Sequence, residues 1–191
     1  GDDFIAMLRH LCNSLGMSTQ VVSFADYDIA ADRANITLLG PGPGNPNNDQ
    51  DPKIRKNMEI AGALLGFGKK SLFICLGHQI LCRCLGYPVR RKDLPLQGSQ
   101  LELTLFGRRE KFGFYNTFAA WRSLSVSPCE LAALDASEEL AAIRSNNFIG
   151  YQFHPESILT EGGERMIRNF IQGPFMQRMT TMSPCAHGFS G

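Results

Sequence analysis

The chain lacks several features, and each absence removes a class of function. No apolar stretch approaches the length that spans a bilayer, and no basic start leads into an apolar signal core. Positive charge is not concentrated: 19 Lys and Arg face 18 Asp and Glu, for a net charge of +1. The short clusters Arg90-Arg91-Lys92 and Arg108-Arg109-Glu110-Lys111 read as solvated loops rather than a nucleic-acid footprint. The six cysteines (Cys12, Cys75, Cys82, Cys84, Cys129, Cys185) are scattered without the spacing of a disulfide framework. Cys82-x-Cys84 has no second pair to complete a zinc site. No Gly-Lys-Ser/Thr follows the glycine-rich stretch at 40–44, which excludes a P-loop, and the G-x-G-x-x-G spacing of a dinucleotide fingerprint is missing too. There is no internal repeat and no internal linker. These absences describe a cytoplasmic globular protein in a reducing setting, with no membrane and no nucleic-acid partner.

What is present fits one domain. The 191 residues are 43% hydrophobic and 19% charged, enough to bury a sizeable core. Apolar residues at 4, 5, 7, 8, 11, 12 and 15 predict a helix stopped by Gly16. The runs at 20–24 and 35–39 read as strand-forming, and the second ends in the constrained loop Gly40-Pro41-Gly42-Pro43-Gly44-Asn45-Pro46. Residues 52–65 predict a helix with Ile54, Met58, Ala61 and Leu65 on one face; 71–75 is a buried strand, and 77–85 the following helix. After a polar segment that starts at Val89, a strand at 101–106 pairs with 111–118. Short strands at 131–134, 140–144 and 148–153 precede a last amphipathic helix at 164–171. Alternating strands and helices predict an α/β fold: an open, mostly parallel sheet with helices on both faces and a small antiparallel β insertion. The domain is read as 1–173, with 174–191 a loose tail. The expected first strand of such a sheet is missing ahead of the opening helix, which reads as a domain cut from a longer protein.

The chemistry concentrates at Cys75. In Phe73-Ile74-Cys75-Leu76-Gly77-His78-Gln79 an apolar strand turns sharply into a helix with a thiol at the corner. Unpaired N–H groups and the dipole at a helix N-terminus favour a thiolate, and the Leu76 N–H points where an oxyanion forms. The Gly42-Pro43-Gly44 loop, also after a strand, is placed to bring a second donor. His154 offers a base and Glu156, two residues on, a carboxylate on the same face to orient it. Taken singly, a cysteine of this kind is usually an inert small hydrophobe and a His-x-Glu usually a surface pair. Their consistent order along the chain is what argues for a nucleophile, its base and the base's partner. His78, on the helix after the turn, reads as structural.

These residues resemble the class I, triad-type glutamine amidotransferases, and the match covers almost the whole chain. Leu39-Gly40-Pro41-Gly42-Pro43-Gly44 is similar to the family's oxyanion loop, Cys75-Leu76-Gly77-His78-Gln79 to its nucleophile motif, and Tyr151-Gln152-Phe153-His154-Pro155-Glu156-Ser157 to its base motif. Ser157-Ile158-Leu159-Thr160 narrows the resemblance to the chorismate-utilising branch, which includes anthranilate and aminodeoxychorismate synthase glutaminases. Gly113-Phe114-Tyr115-Asn116-Thr117-Phe118-Ala119-Ala120 resembles its phenazine-pathway members, which make 2-amino-2-deoxyisochorismate. The resemblance implies a flavodoxin-like fold and a Cys75, His154, Glu156 triad. It implies that Gly42, Gly44 and Leu76 line the oxyanion hole and glutamine pocket, and that Gln79 contacts the substrate glutamine. Thr117 and Phe118 fall where backbone groups hold the glutamine α-substituents. It also implies L-glutamine as substrate, a chorismate-binding synthase as partner, no metal or cofactor in this domain, and magnesium in the synthase. The chain departs from the pattern at Phe73, where the family often carries glycine; that bulk is expected to crowd the elbow. The departure and the missing strand leave open a catalytically impaired module that only binds its synthase. A Cys-His hydrolase of γ-glutamyl compounds is a further alternative.

Overall fold

The computed structural model describes residues 3–123, 129–134 and 137–173; the segment read as a loose tail, 174–191, lies outside them. Four helices take up the periodic segments: α1 (Asp3–Ser14), α2 (Pro52–Gly66), α3 (Leu76–Cys84) and α4 (Gly163–Gln172). Helix α1 stops at Gly16, whose φ of 83° suits glycine. Helix α2 starts where Asp51 accepts from the Lys53 N–H at 2.8 Å, with Pro52 in the first turn. Its buried face is Ile54, Asn57, Ile60, Ala61 and Leu64, so Met58 and Leu65 from the expected face lie half-buried at its margins.

Five strands form the central sheet in the order β1 (Thr37–Leu39), β2 (Ser71–Ile74), β9 (Phe148–Tyr151), β8 (Glu139–Arg144), β7 (Glu130–Leu134). The β1–β2 and β2–β9 pairs are parallel; β9–β8 and β8–β7 are antiparallel. Strand β3 (Val89–Arg91), in the segment that reads as polar, pairs antiparallel with β6 (Phe118–Ala120). The hairpin of β4 (Ser99–Leu105) and β5 (Arg108–Phe114) supplies the second small antiparallel piece.

Alternation along the strands divides the core in two. Leu72 and Ile74 of β2 join Leu8, Cys12, Ile167 and Phe170 on the α1–α4 face. Phe73 joins Ile54, Leu64, Ile80 and Leu81 on the α2–α3 face. The bulk expected to crowd the elbow is therefore fully buried in the layer beneath it.

The β-rich run at 20–24 forms no strand. Val21, Val22 and Phe24 are exposed in an irregular segment. Among the described residues β1 is an edge, paired only with β2, so the run meets no ladder. Side-chain preference for a pleated surface does not supply backbone partners. The segment is tied down instead at Asp32, which accepts from Tyr27 Oη, Thr37 Oγ1 and Lys69 Nζ, each at 2.6 Å. Burial alone raises the Asp32 carboxyl, but these donors and the Ala34 N–H outweigh it and hold the group well below the usual carboxylate range.

Candidate active site

The three parallel strands end at one level. Leu39 is in register with Phe73, and Ile74 with Tyr151, so the segments that follow β1, β2 and β9 leave the same edge of the sheet. Crevices outside the carboxyl ends of parallel strands are where such folds bind ligands. Cys75 follows β2, His154 and Glu156 follow β9, and Gly42 and Gly44 follow β1.

Cys75 caps α3 with φ 52° and ψ −104°. A non-glycine residue held there costs on the order of 1–3 kcal/mol, which the surroundings must offset. Its N–H donates to Tyr151 O at 2.8 Å, and its carbonyl accepts from the Gln79 N–H at 3.0 Å. Gly77 makes the sharp turn possible: a Cβ there would lie 2.1 Å from Leu39 O. The helix thus starts against the backbone of the glycine-rich loop. Gly42 is half-buried, and Gly44, with φ 144°, faces the Leu76 side chain.

His154 is 2% exposed, and its Nδ1 donates to Glu156 Oε1 at 2.8 Å. That leaves Nε2 for Cys75, whose side chain interacts with the ring. Burial alone lowers the imidazole pKa; the bonds to Cys75 and Glu156 outweigh it and raise it to about 9. The ring is walled by aromatics: Phe4 of α1 lies 4.1 Å away between centroids and Tyr115 5.2 Å away, edge-on. The base segment is pinned from below. His154 N–H donates to Gly113 O at 3.0 Å, Thr160 Oγ1 donates to His154 O at 2.6 Å, and a Cβ on Gly163 would lie 1.8 Å from Pro155 O. Helix α4 therefore docks directly on the residue between His154 and Glu156.

Gln79 is 4% exposed, and its Nε2 donates to Phe118 O at 2.8 Å and to Gln152 Oε1 at 3.1 Å. Asn116 Nδ2 donates to the same Phe118 carbonyl at 2.8 Å. Thr117 ends the β5–β6 connection and Phe118 opens β6; both are half-buried. The connection is braced by Lys92 N–H to Thr117 O at 2.8 Å and Leu96 N–H to Asn116 O at 3.0 Å, with Lys92 Nζ on Glu139 Oε1 at 2.6 Å. Among the described residues, the two buried side-chain polar atoms without a partner are Asn116 Oδ1 and Glu156 Oε2. Buried polar atoms are normally satisfied, which sets these two acceptors apart.

His78 lies outside this constellation. It is fully buried, with Nε2 on Leu140 O at 3.1 Å and Cys82 Sγ 3.6 Å away. Burial pushes its pKa down to about 4 against the raising effect of its backbone bonds, so it is neutral and structural. No described group of three or more His, Cys, Asp or Glu is arranged to hold a metal ion. Sequence reasoning assigned no role to Phe4, Tyr115, Gln152 or Gly163. The available signal for Gly163 was the Gly162-Gly163 pair ahead of a helix; Phe4 and Gln152 have no local signature.

A buried cysteine on a strand-to-helix elbow and a buried histidine bonded to a carboxylate thus stand on a flavodoxin-like sheet. Residues 1–173 match the family Glutamine amidotransferase class-I, and the chain belongs to it. It is 37% identical over 177 residues to the anthranilate synthase, phenazine specific, of Pseudomonas chlororaphis, covering 90% of this chain and 28% of that relative. It is 33% identical over 148 residues to the aminodeoxychorismate/anthranilate synthase component 2 of Bacillus subtilis, covering 72% of this chain and 73% of the relative. The chain thus spans less than a third of the phenazine-specific protein. The crystal structure of a glutamine amidotransferase from Thermotoga maritima shares the fold: TM-score 0.63 at 17% identity, covering 78% of this chain and 70% of that one.

Proposed function

We propose that this domain hydrolyses L-glutamine through a Cys75 thioester and supplies ammonia to a chorismate-aminating synthase. The observation that carries the reading is the buried His154–Glu156 pair, with Cys75 acting on the same ring from the elbow at the head of α3. Cys75 Sγ attacks the glutamine δ-carbon, and the carbonyl π electrons move onto oxygen. The Leu76 N–H at the head of α3 and the loop of Gly42 and Gly44 receive that oxyanion. His154 delivers the Nε2 proton to the departing nitrogen, and ammonia leaves as the C–N bond breaks. His154 then takes a proton from water, which attacks the thioester; glutamate departs and the thiol is restored. Glu156 holds the ring in the tautomer this needs. Backbone groups of Thr117 and Phe118 hold the α-ammonium and α-carboxylate, and Gln79 turns its Oε1 to the substrate.

The partner is a chorismate-binding synthase, fused or separate, that makes 2-amino-2-deoxyisochorismate or anthranilate. The relatives' names and the apolar side chain of Ile158, 94% exposed just beyond the base segment, support that pairing. No metal or cofactor takes part in the glutaminase half; magnesium belongs to the synthase. A reducing cytoplasm suits the five described cysteines, all free. Cys75→Ala in the protein with its synthase is expected to abolish glutamine-dependent amination of chorismate and to preserve amination by added ammonia. Amination from glutamine at the parent rate would overturn the proposal.

A further inference from the structure

The proposed mechanism leaves Gln152 without a role, although the residue is 1% exposed and sits beside the reacting sulfur. Its Nε2 lies 3.8 Å from Cys75 Sγ, within reach of an N–H···S contact, and its Oε1 accepts from Gln79 Nε2 at 3.1 Å. The orientation of these two amides follows from a group that cannot turn round. Phe118 O is a backbone carbonyl and can only accept. Gln79 must therefore present its Nε2, which carries two hydrogens. The first goes to Phe118 O at 2.8 Å, and the second goes to Gln152. Gln152 then faces Gln79 with oxygen, so its nitrogen faces the sulfur. Flipping either amide sets donor against donor or acceptor against acceptor inside a buried space, at a cost of about 1–3 kcal/mol per unsatisfied group.

We infer that Gln152 is a further catalytic residue of the site: its carboxamide N–H donates to the Cys75 sulfur and, with the His154 imidazolium, stabilises the thiolate. Gln79 is the positioning residue that fixes this polarity. The chain of bonds Phe118, Gln79, Gln152, Cys75 joins the β5–β6 connection, where the substrate backbone is proposed to sit, to the nucleophile. A hydrogen bond to a charged group is stronger than one to a neutral partner. The donor therefore favours the ionised sulfur over the thiol, and its effect is greatest before the C–S bond forms.

The inference rests on Cys75 being the nucleophile, and it can be tested without glutamine. The readout is the rate at which iodoacetamide modifies Cys75 in the full protein, followed by mass spectrometry, together with kcat and KM for glutamine. Gln152→Met removes the donor and keeps the volume. It is expected to slow Cys75 alkylation about tenfold, the scale of a modest charge-assisted bond, with a matching fall in kcat and an unchanged KM. Gln79→Met leaves Gln152 in place but unoriented, and is expected to give a smaller loss of alkylation. A folded Gln152→Met protein that alkylates at the parent rate would overturn the inference. A measurement on the unsubstituted protein covers failure of both variants to fold. The Gln152 side-chain amide protons are expected to shift as Cys75 ionises, and their indifference would equally overturn it. If the parent alkylates at Cys75 yet hydrolyses no glutamine with its synthase, the proposed function fails while the alkylation ratio still decides the role of Gln152.

Discussion

His154 carries opposing influences. Burial favours the neutral ring, and the interactions with Cys75 and Glu156 favour the charged one; the second pair wins, leaving the pKa raised to about 9. The sign matters for catalysis. In the proposed mechanism the form that protonates the departing nitrogen is the imidazolium, which persists at neutral pH and is lost as pH rises through about 9. Glutaminase kcat/KM is therefore expected to hold through neutral pH and to fall on an alkaline limb near 9. Glu156→Gln removes one of the raising influences and the tautomer lock, so the limb is expected to move to lower pH and kcat to drop about a hundredfold. A pH–rate series on both proteins checks this; an unmoved limb would show that Glu156 does not act on His154.

At the scale of elements, the site depends on two helices that approach backbone closely. Gly77 lets α3 start against Leu39, and Gly163 lets α4 dock on Pro155. A Cβ at Gly163 would meet the Pro155 carbonyl at 1.8 Å, and backbone yields less cheaply than a flexible side chain. Gly163→Ala is expected to destabilise by about 1–3 kcal/mol and to displace His154 and Glu156, so activity falls further than stability accounts for. Gly62, inside α2 with open space around it, is the counterpart: Gly62→Ala is expected to stabilise by about 0.5–1 kcal/mol. Denaturant unfolding of both variants checks the pair. This contrast also marks the limit of the sequence. Helices α1, α2 and α4 were legible because each repeats its apolar residues at helical spacing, and α3 because it follows a buried strand and ends at Gly86. The elbow was legible because a strand, a cysteine and a glycine adjoin in sequence. The run at 20–24 misled because strand preference is local while a ladder partner is not. Strand β3 was hidden because two of its three residues, Arg90 and Arg91, are exposed charges. Phe4 and Gln152 act across the fold on residues more than seventy positions away, and nothing nearby in the chain announces it; Gly163 acts through docking of a whole helix, signalled only by the Gly162-Gly163 pair.

At the scale of the whole molecule, one sheet edge gathers the glycine-rich loop, the elbow, the base segment and the β5–β6 connection into a site from which water is largely excluded. Cys75 is 7% exposed and His154 2%. Such enclosure strengthens every charge interaction inside it. The chain covers 28% of its phenazine-specific relative, so the proposed delivery to a synthase is to be tested on the assembly. The central claim is narrower: Cys75 is the atom that takes up glutamine. The most direct measurement is to treat the protein, with its synthase, with a glutamine-analogue electrophile and to locate the adduct by mass spectrometry. One equivalent is expected on Cys75, suppressed by excess glutamine and absent in Cys75→Ala. Folded protein that acquires no adduct, or acquires it on another cysteine, would contradict the account.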